Sequence, residues 1–153
     1  MKKKINLLTT PFLCGALGFA VGHTGIASDT FERGISAYEK QQYTKAFELI
    51  KDSAEQGKTR AQYLLGTMYR SGIGVEADEY EGFYWCQKAA EEGLREAQFQ
   101  VGLMYLEGEG VTPDEEKAIE WLWAAADRGY TQATELLQYI LSGDHQDEYG
   151  IGC

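Results

Sequence analysis

Residues Lys58–Gly93 read KTRAQYLLGTMYRSGIGVEADEYEGFYWCQKAAEEG, and residues Leu94–Gly129 read LREAQFQVGLMYLEGEGVTPDEEKAIEWLWAAADRG. Laid on one another without a gap, the two 36-residue segments share fourteen identities, among them Gly66/Gly102, Tyr69/Tyr105, Gly74/Gly110, Asp78/Asp114, Trp85/Trp121 and Gly93/Gly129. A period in this range marks stacked supersecondary units, each of which covers its apolar face only with its neighbours. Apolar and small residues recur within each copy at spacings of three and four, so each unit is expected to be a pair of helices.

In the first copy, Thr59–Arg70 is expected as helix A, Ser71–Gly74 as the turn, and Asp78 as the N-cap of helix B, with Glu81 completing a capping box and Gly93 ending the helix. The second copy repeats this with helix A over Arg95–Leu106 and helix B over Asp114–Arg128, but Lys117 replaces the capping glutamate. Upstream, Ser28–Gln42 and Thr44–Gln56 read as two helices joined by a much shorter turn and closed by Gly57. Downstream, the pattern restarts at Tyr130 and stops after one helix. The expected fold is an all-α solenoid of helix-turn-helix repeats. It comprises three hairpins at about 28–57, 58–93 and 94–129, a closing helix at 130–142 and a C-terminal tail at 143–153. The repeated small residues let helices approach closely, while Tyr69, Trp85, Tyr105 and Trp121 fill the wider gaps.

Lys2, Lys3 and Lys4 precede an uncharged apolar stretch, Ile5–Gly22, and Gly25-Ile26-Ala27 supplies small residues at its exit. Residues 1–27 therefore read as a signal peptide cleaved after Ala27, which places the mature chain in the periplasm or outside the cell. Pro11 and the glycines argue against a retained spanning helix, and Leu13 before Cys14 argues against lipidation. Loss of the three lysines leaves 11 basic against 24 acidic residues, a mature charge of −13. Such a surface repels phosphate backbones and anionic lipid, so neither nucleic acid nor a membrane, beyond the signal segment, is expected as a partner.

The pattern Ala-x-x-x-Leu-Gly-x-Met-Tyr-x-x-Gly-x-Gly-Val-x-x-Asp, then Trp, Ala-Ala and Gly, over Ala61–Gly93, resembles the Sel-one-like repeat, a relative of the tetratricopeptide repeat. The second copy matches with Val101 in place of the leucine, and the first hairpin, with Gly34, Tyr38, Tyr43 and Ala46, is more similar to the tetratricopeptide form. The resemblance covers about Phe31–Ser142 and implies an exported, non-catalytic adaptor or scaffold that binds a protein or peptide. Some cysteine-rich members of the family were associated with β-lactamase or penicillin-binding activity. This chain has neither their pair of cysteines per repeat nor a Ser-x-x-Lys element. A cell-wall or β-lactam hydrolase stands as the alternative, and a chaperone-like or inhibitory binder of a cationic partner as a further one.

The resemblance also implies where a partner would sit, because the related fold lines its concave wall with helix A residues flanking the packing glycine. Those positions are Phe31, Ile35 and Tyr38; Tyr63, Thr67 and Arg70; Phe99, Leu103 and Leu106; and Glu135, Tyr139 and Ser142. Their common spacing of four then three puts each triplet on one stripe of its helix. Phe31, Tyr63, Phe99, Leu103 and Tyr139 would form an apolar ladder, with Arg60 and Arg70 available to meet a carboxylate. The same residues would equally serve to pack one helix A on the next.

Cys86 falls where the second copy has Leu122, a core position, and it would otherwise pair with Cys153 in a disulfide that pins the tail. No cofactor is expected. His145, Asp144, Asp147 and Cys153 follow no metal-ligand spacing, and a Cys86–His145–Asp144 triad has no support beyond composition.

Overall fold

The computed structural model describes residues 30–142, and every regular element among them is a helix. A helix over residues 30–39 (α1) is followed by α2 (Tyr43–Glu55), α3 (Thr59–Ser71), α4 (Glu79–Glu91), α5 (Arg95–Glu107), α6 (Glu115–Asp127) and α7 (Thr131–Ser142). The starts of α2, α4 and α6 are 36 residues apart, as are those of α3, α5 and α7. From α2 onward each helix packs on the next in the chain, as a solenoid requires. The expected leader at 1–27 and tail at 143–153 lie outside the described residues.

The core runs through the stack as three adjoining clusters, centred on Ile50, Leu65 and Met68, then on Cys86, Val101 and Met104, then on Leu122 and Leu137. Within each hairpin the two helices cross at a glycine. A Cβ added to Gly66 would lie 2.6 Å from Cys86 Sγ and 2.9 Å from the Gly82 carbonyl oxygen. The equivalent atom at Gly34 would lie 2.9 Å from Ile50 Cγ1, and at Gly102 2.9 Å from Leu122 Cγ. Ile50, Cys86 and Leu122 keep the 36-residue interval, whereas Gly34 and Gly66 are only 32 residues apart. The four missing residues are those of the shortened turn between α1 and α2, as its sequence implied.

Helix ends follow the expected chemistry with one correction. The Asp78 carboxylate accepts from the Glu81 N–H at 3.0 Å, and Asp114 accepts from the Lys117 N–H at 3.1 Å. The reciprocal half of the capping box expected from Glu81 does not form, because the Asp78 N–H already donates to the Tyr69 carbonyl at 2.9 Å. Glu81 accepts instead from the Trp85 indole N–H at 3.2 Å, which satisfies the donor of an otherwise buried ring. The loop glycines do more than adopt positive φ. A Cβ on Gly74 would overlap the Tyr43 carbonyl at the start of α2, and one on Gly110 would overlap that of Glu79 at the start of α4. Each loop is thus seated on the preceding repeat, and a glycine is needed there for close approach as well as for its backbone angle.

Candidate functional site

The first turns of α3 and α5 lie beside α1, and there the surface opens into a cleft of about 360 Å³ lined by Phe31, Ile35, Arg60, Tyr63, Leu64, Leu94 and Glu96. Four of these, Phe31, Ile35, Arg60 and Tyr63, are the residues expected on the concave helix A surface. Leu64, Leu94 and Glu96 are additions. Leu94 precedes α5 as its N-cap residue, and Glu96 is held by Arg95 at 3.2 Å. These lie outside the 4-then-3 stripe, so periodicity alone does not mark them. Among the described residues Arg60 is exposed and makes no ion pair, whereas Tyr63 is half-buried and its phenol is raised above its ordinary range, chiefly by burial.

The other expected residues have different surroundings. The Arg70 guanidinium is already engaged: its Nε and Nη2 donate to the two carboxylate oxygens of Glu109 at 2.9 and 2.5 Å. That pairing holds the Arg70 pKa above its ordinary value. The fork clamps α3 to the loop of the next repeat, and its stem covers Gly82, where a Cβ would lie 2.5 Å from Arg70 Cγ. Arg70 is therefore not the open carboxylate receptor that its position suggested. Tyr38 stacks edge-on against Tyr43 at 5.5 Å, and the Thr67 hydroxyl donates to the Tyr63 carbonyl at 3.0 Å. Phe99 packs on Tyr130 at 5.0 Å, Leu103 is half-buried, and Leu106 joins the second and third clusters. On α7, Leu137 is buried, while Tyr139 is 46% and Leu141 59% exposed.

Cys86 is fully buried, a free thiol packed between α3 and α4, and burial pushes its pKa up to about 12. At neutral pH it carries no thiolate and supplies no nucleophile. Its proposed partner Cys153 lies outside the described residues, as do His145 and Asp144. Among the described residues no three His, Cys, Asp or Glu side chains converge as a metal would require, and no helix is long and apolar enough to cross a membrane.

Comparison with known proteins agrees with this architecture. The Sel1 repeat family model matches three times, at residues 23–58, 59–94 and 95–130. Among solved structures, a protective antigen of uropathogenic Escherichia coli with an SLR fold superposes with a TM-score of 0.73 at 34% identity, covering 78% of this chain and 27% of the antigen. A Sel1 repeat protein of Oxalobacter formigenes does so with a TM-score of 0.68 at 32% identity, over 72% of this chain and 45% of that one. The cysteine-rich protein B of Helicobacter pylori, 17% identical, shares the fold with a TM-score of 0.59 over 73% of this chain and 95% of its own. A curated relative, an exopolysaccharide production negative regulator of Rhizobium leguminosarum bv. viciae, is 38% identical over 55 residues. That match spans 36% of this chain and only 21% of the regulator's length. With three copies of the repeat covering well over half of its residues, the chain belongs to the Sel1 repeat family.

Proposed function

We propose that the protein is an exported, non-catalytic adaptor that binds a protein or peptide segment in the cleft between α1, α3 and α5. Sel1 repeat proteins generally mediate protein–protein interaction, and the observation that carries the reading here is the cleft itself. It places Phe31, Ile35 and Tyr63 as apolar walls beside an exposed guanidinium, Arg60, that has no ion-pair partner among the described residues. Apolar walls beside the Arg60 cation, with the Glu96 carboxylate already held by Arg95, suit an extended or short helical segment whose apolar side chains enter the cleft and whose carboxylate meets Arg60. The export element of the reading rests on the basic and apolar character of residues 1–27.

Selection of a displayed peptide library against the folded chain tests the reading. Peptides carrying an acidic residue beside apolar ones are expected. Arg60→Glu and Tyr63→Ala should each weaken them by about tenfold while the helical circular-dichroism spectrum is kept. Enriched peptides whose affinity ignores both substitutions would place binding elsewhere. Turnover of a labelled β-lactam or peptidoglycan fragment would replace the adaptor reading with the hydrolase one.

A further inference from the structure

The second helices of the hairpins carry a surface remote in character from the cleft. On α4 the outward positions Tyr80, Tyr84, Gln87 and Glu91 recur at helical spacing, and the 36-residue register puts Glu116, Glu120, Trp123 and Asp127 at the equivalent positions of α6, the corresponding helix of the next repeat in the stack. Tyr80 is 78% exposed, Tyr84 49% and Trp123 50%, so three large rings face solvent on two matched rows. Single exposed aromatics are ordinary, but three of them interleaved with four carboxylates and no basic residue in either row form a surface of definite chemistry. One cation already sits at its border: Lys88 Nζ lies 4.7 Å from the centre of the Tyr84 ring and 5.0 Å from that of Trp85.

We propose that the outer face of α4 and α6 docks a lysine- or arginine-rich protein segment, whose cations lie over Trp123, Tyr80 and Tyr84 while Glu120, Asp127 and their neighbours neutralise the charge. Rings attract cations through their negative faces, and flanking carboxylates add attraction that an anionic or neutral partner would not receive. Arginine fits better than lysine, because its planar guanidinium stacks on a ring and still donates to a carboxylate. The net charge of −10 brings such a segment to the protein from any side, and the aromatic rows determine where it settles.

The test uses a fluorescein-labelled octa-arginine peptide and the full chain, read by anisotropy. Saturable binding that weakens with added salt is expected. Trp123→Ala combined with Tyr84→Ala should weaken it by about fivefold or more, as should Glu120→Gln combined with Asp127→Asn. Tyr63→Ala, in the cleft, should leave it unchanged. All the substituted outer-face side chains are exposed, and an unaltered helical spectrum verifies the fold of each variant. No binding at low salt would overturn the proposal. So would binding that ignores the aromatic pair, which would reveal attraction to the overall negative charge, and so would loss through Tyr63→Ala, which would move the cation site to the cleft.

Discussion

Replacement of Gly66 by alanine sets two effects of known size against one another. In the interior of α3, alanine is intrinsically the better helix former by about 1 kcal/mol. The new methyl would stand 2.6 Å from Cys86 Sγ, 2.9 Å from the Cys86 backbone nitrogen and 2.9 Å from the Gly82 carbonyl oxygen. A sulfur can swing aside, but two of the three obstacles are backbone, so α3 and α4 must separate. Forced overpacking of this kind costs about 3 kcal/mol, which leaves a net loss of about 2 kcal/mol. For a chain of this size that lowers the melting temperature by about 8 °C, measurable by thermal and urea unfolding followed by circular dichroism. Gly102→Ala provides the control: there the nearest obstacles are the Leu122 side-chain carbons at 2.9 and 3.0 Å, with backbone no closer than 3.2 Å. A leucine side chain can re-orient, so this variant should lose about 1 kcal/mol or less. Adding Cys86→Ala to Gly66→Ala should give a double variant less destabilised than the sum of the two, by about 0.5–1 kcal/mol, because one obstacle has gone. Gly66→Ala as stable as the parent, or no worse than Gly102→Ala, would refute the account of the helix crossing.

Cys86 should give the stability a pH dependence. Its thiol is raised from the ordinary 9.0 to about 12 in the folded chain, so between those values the unfolded chain has lost the proton while the folded one keeps it. Stability from this group is intact below pH 9 and falls by about 1.4 kcal/mol per pH unit above it. The stability difference between the parent and Cys86→Ala should therefore shrink from pH 9 to pH 11; a constant difference would contradict the burial argument. Asp78→Ala removes an observed N-cap bond and should cost about 1 kcal/mol in urea unfolding, with Asp78→Asn nearly neutral. Gly57 has φ 84° and nothing within 4 Å of an added Cβ, so Gly57→Ala should cost about 1 kcal/mol from backbone conformation alone. Gly110→Ala adds an overlap with the Glu79 backbone and should cost about 3 kcal/mol or more; equal losses at the two sites would deny that the loop is seated on α4.

Most of the scaffold can be read in the residues, because what repeats along this chain is the packing chemistry. Asp78 and Asp114 cap the helices they precede, Gly57 and Gly93 end helices with positive φ, and the short first turn follows from the spacing of Gly34 and Gly66. What is not legible is the set of contacts made between repeats. The Arg70 fork reaches Glu109, 39 residues on, and no local pattern marks that pair. The Glu81 side chain turns to Trp85 because the Asp78 N–H is taken by Tyr69, a contact across the loop that a capping motif does not encode. Gly74 and Gly110 look like ordinary turn residues until the carbonyls of Tyr43 and Glu79 are seen beneath them. The site divides in the same way. The helix A stripe identifies Phe31, Ile35 and Tyr63, but its neighbours Leu94 and Glu96 enter the cleft through the stacking of α5 on the earlier repeats. Phe99 and Leu106, on the same stripe, are drawn into packing around α6 and α7.

The most direct test of the adaptor reading is amide chemical-shift mapping of the isotope-labelled chain titrated with a library-selected acidic peptide. The account predicts saturable shifts concentrated at Phe31, Ile35, Arg60, Tyr63, Leu94 and Glu96, all lost in the Arg60→Glu variant. Shifts confined to the outer faces of α4 and α6, or an unchanged map in that variant, would contradict it.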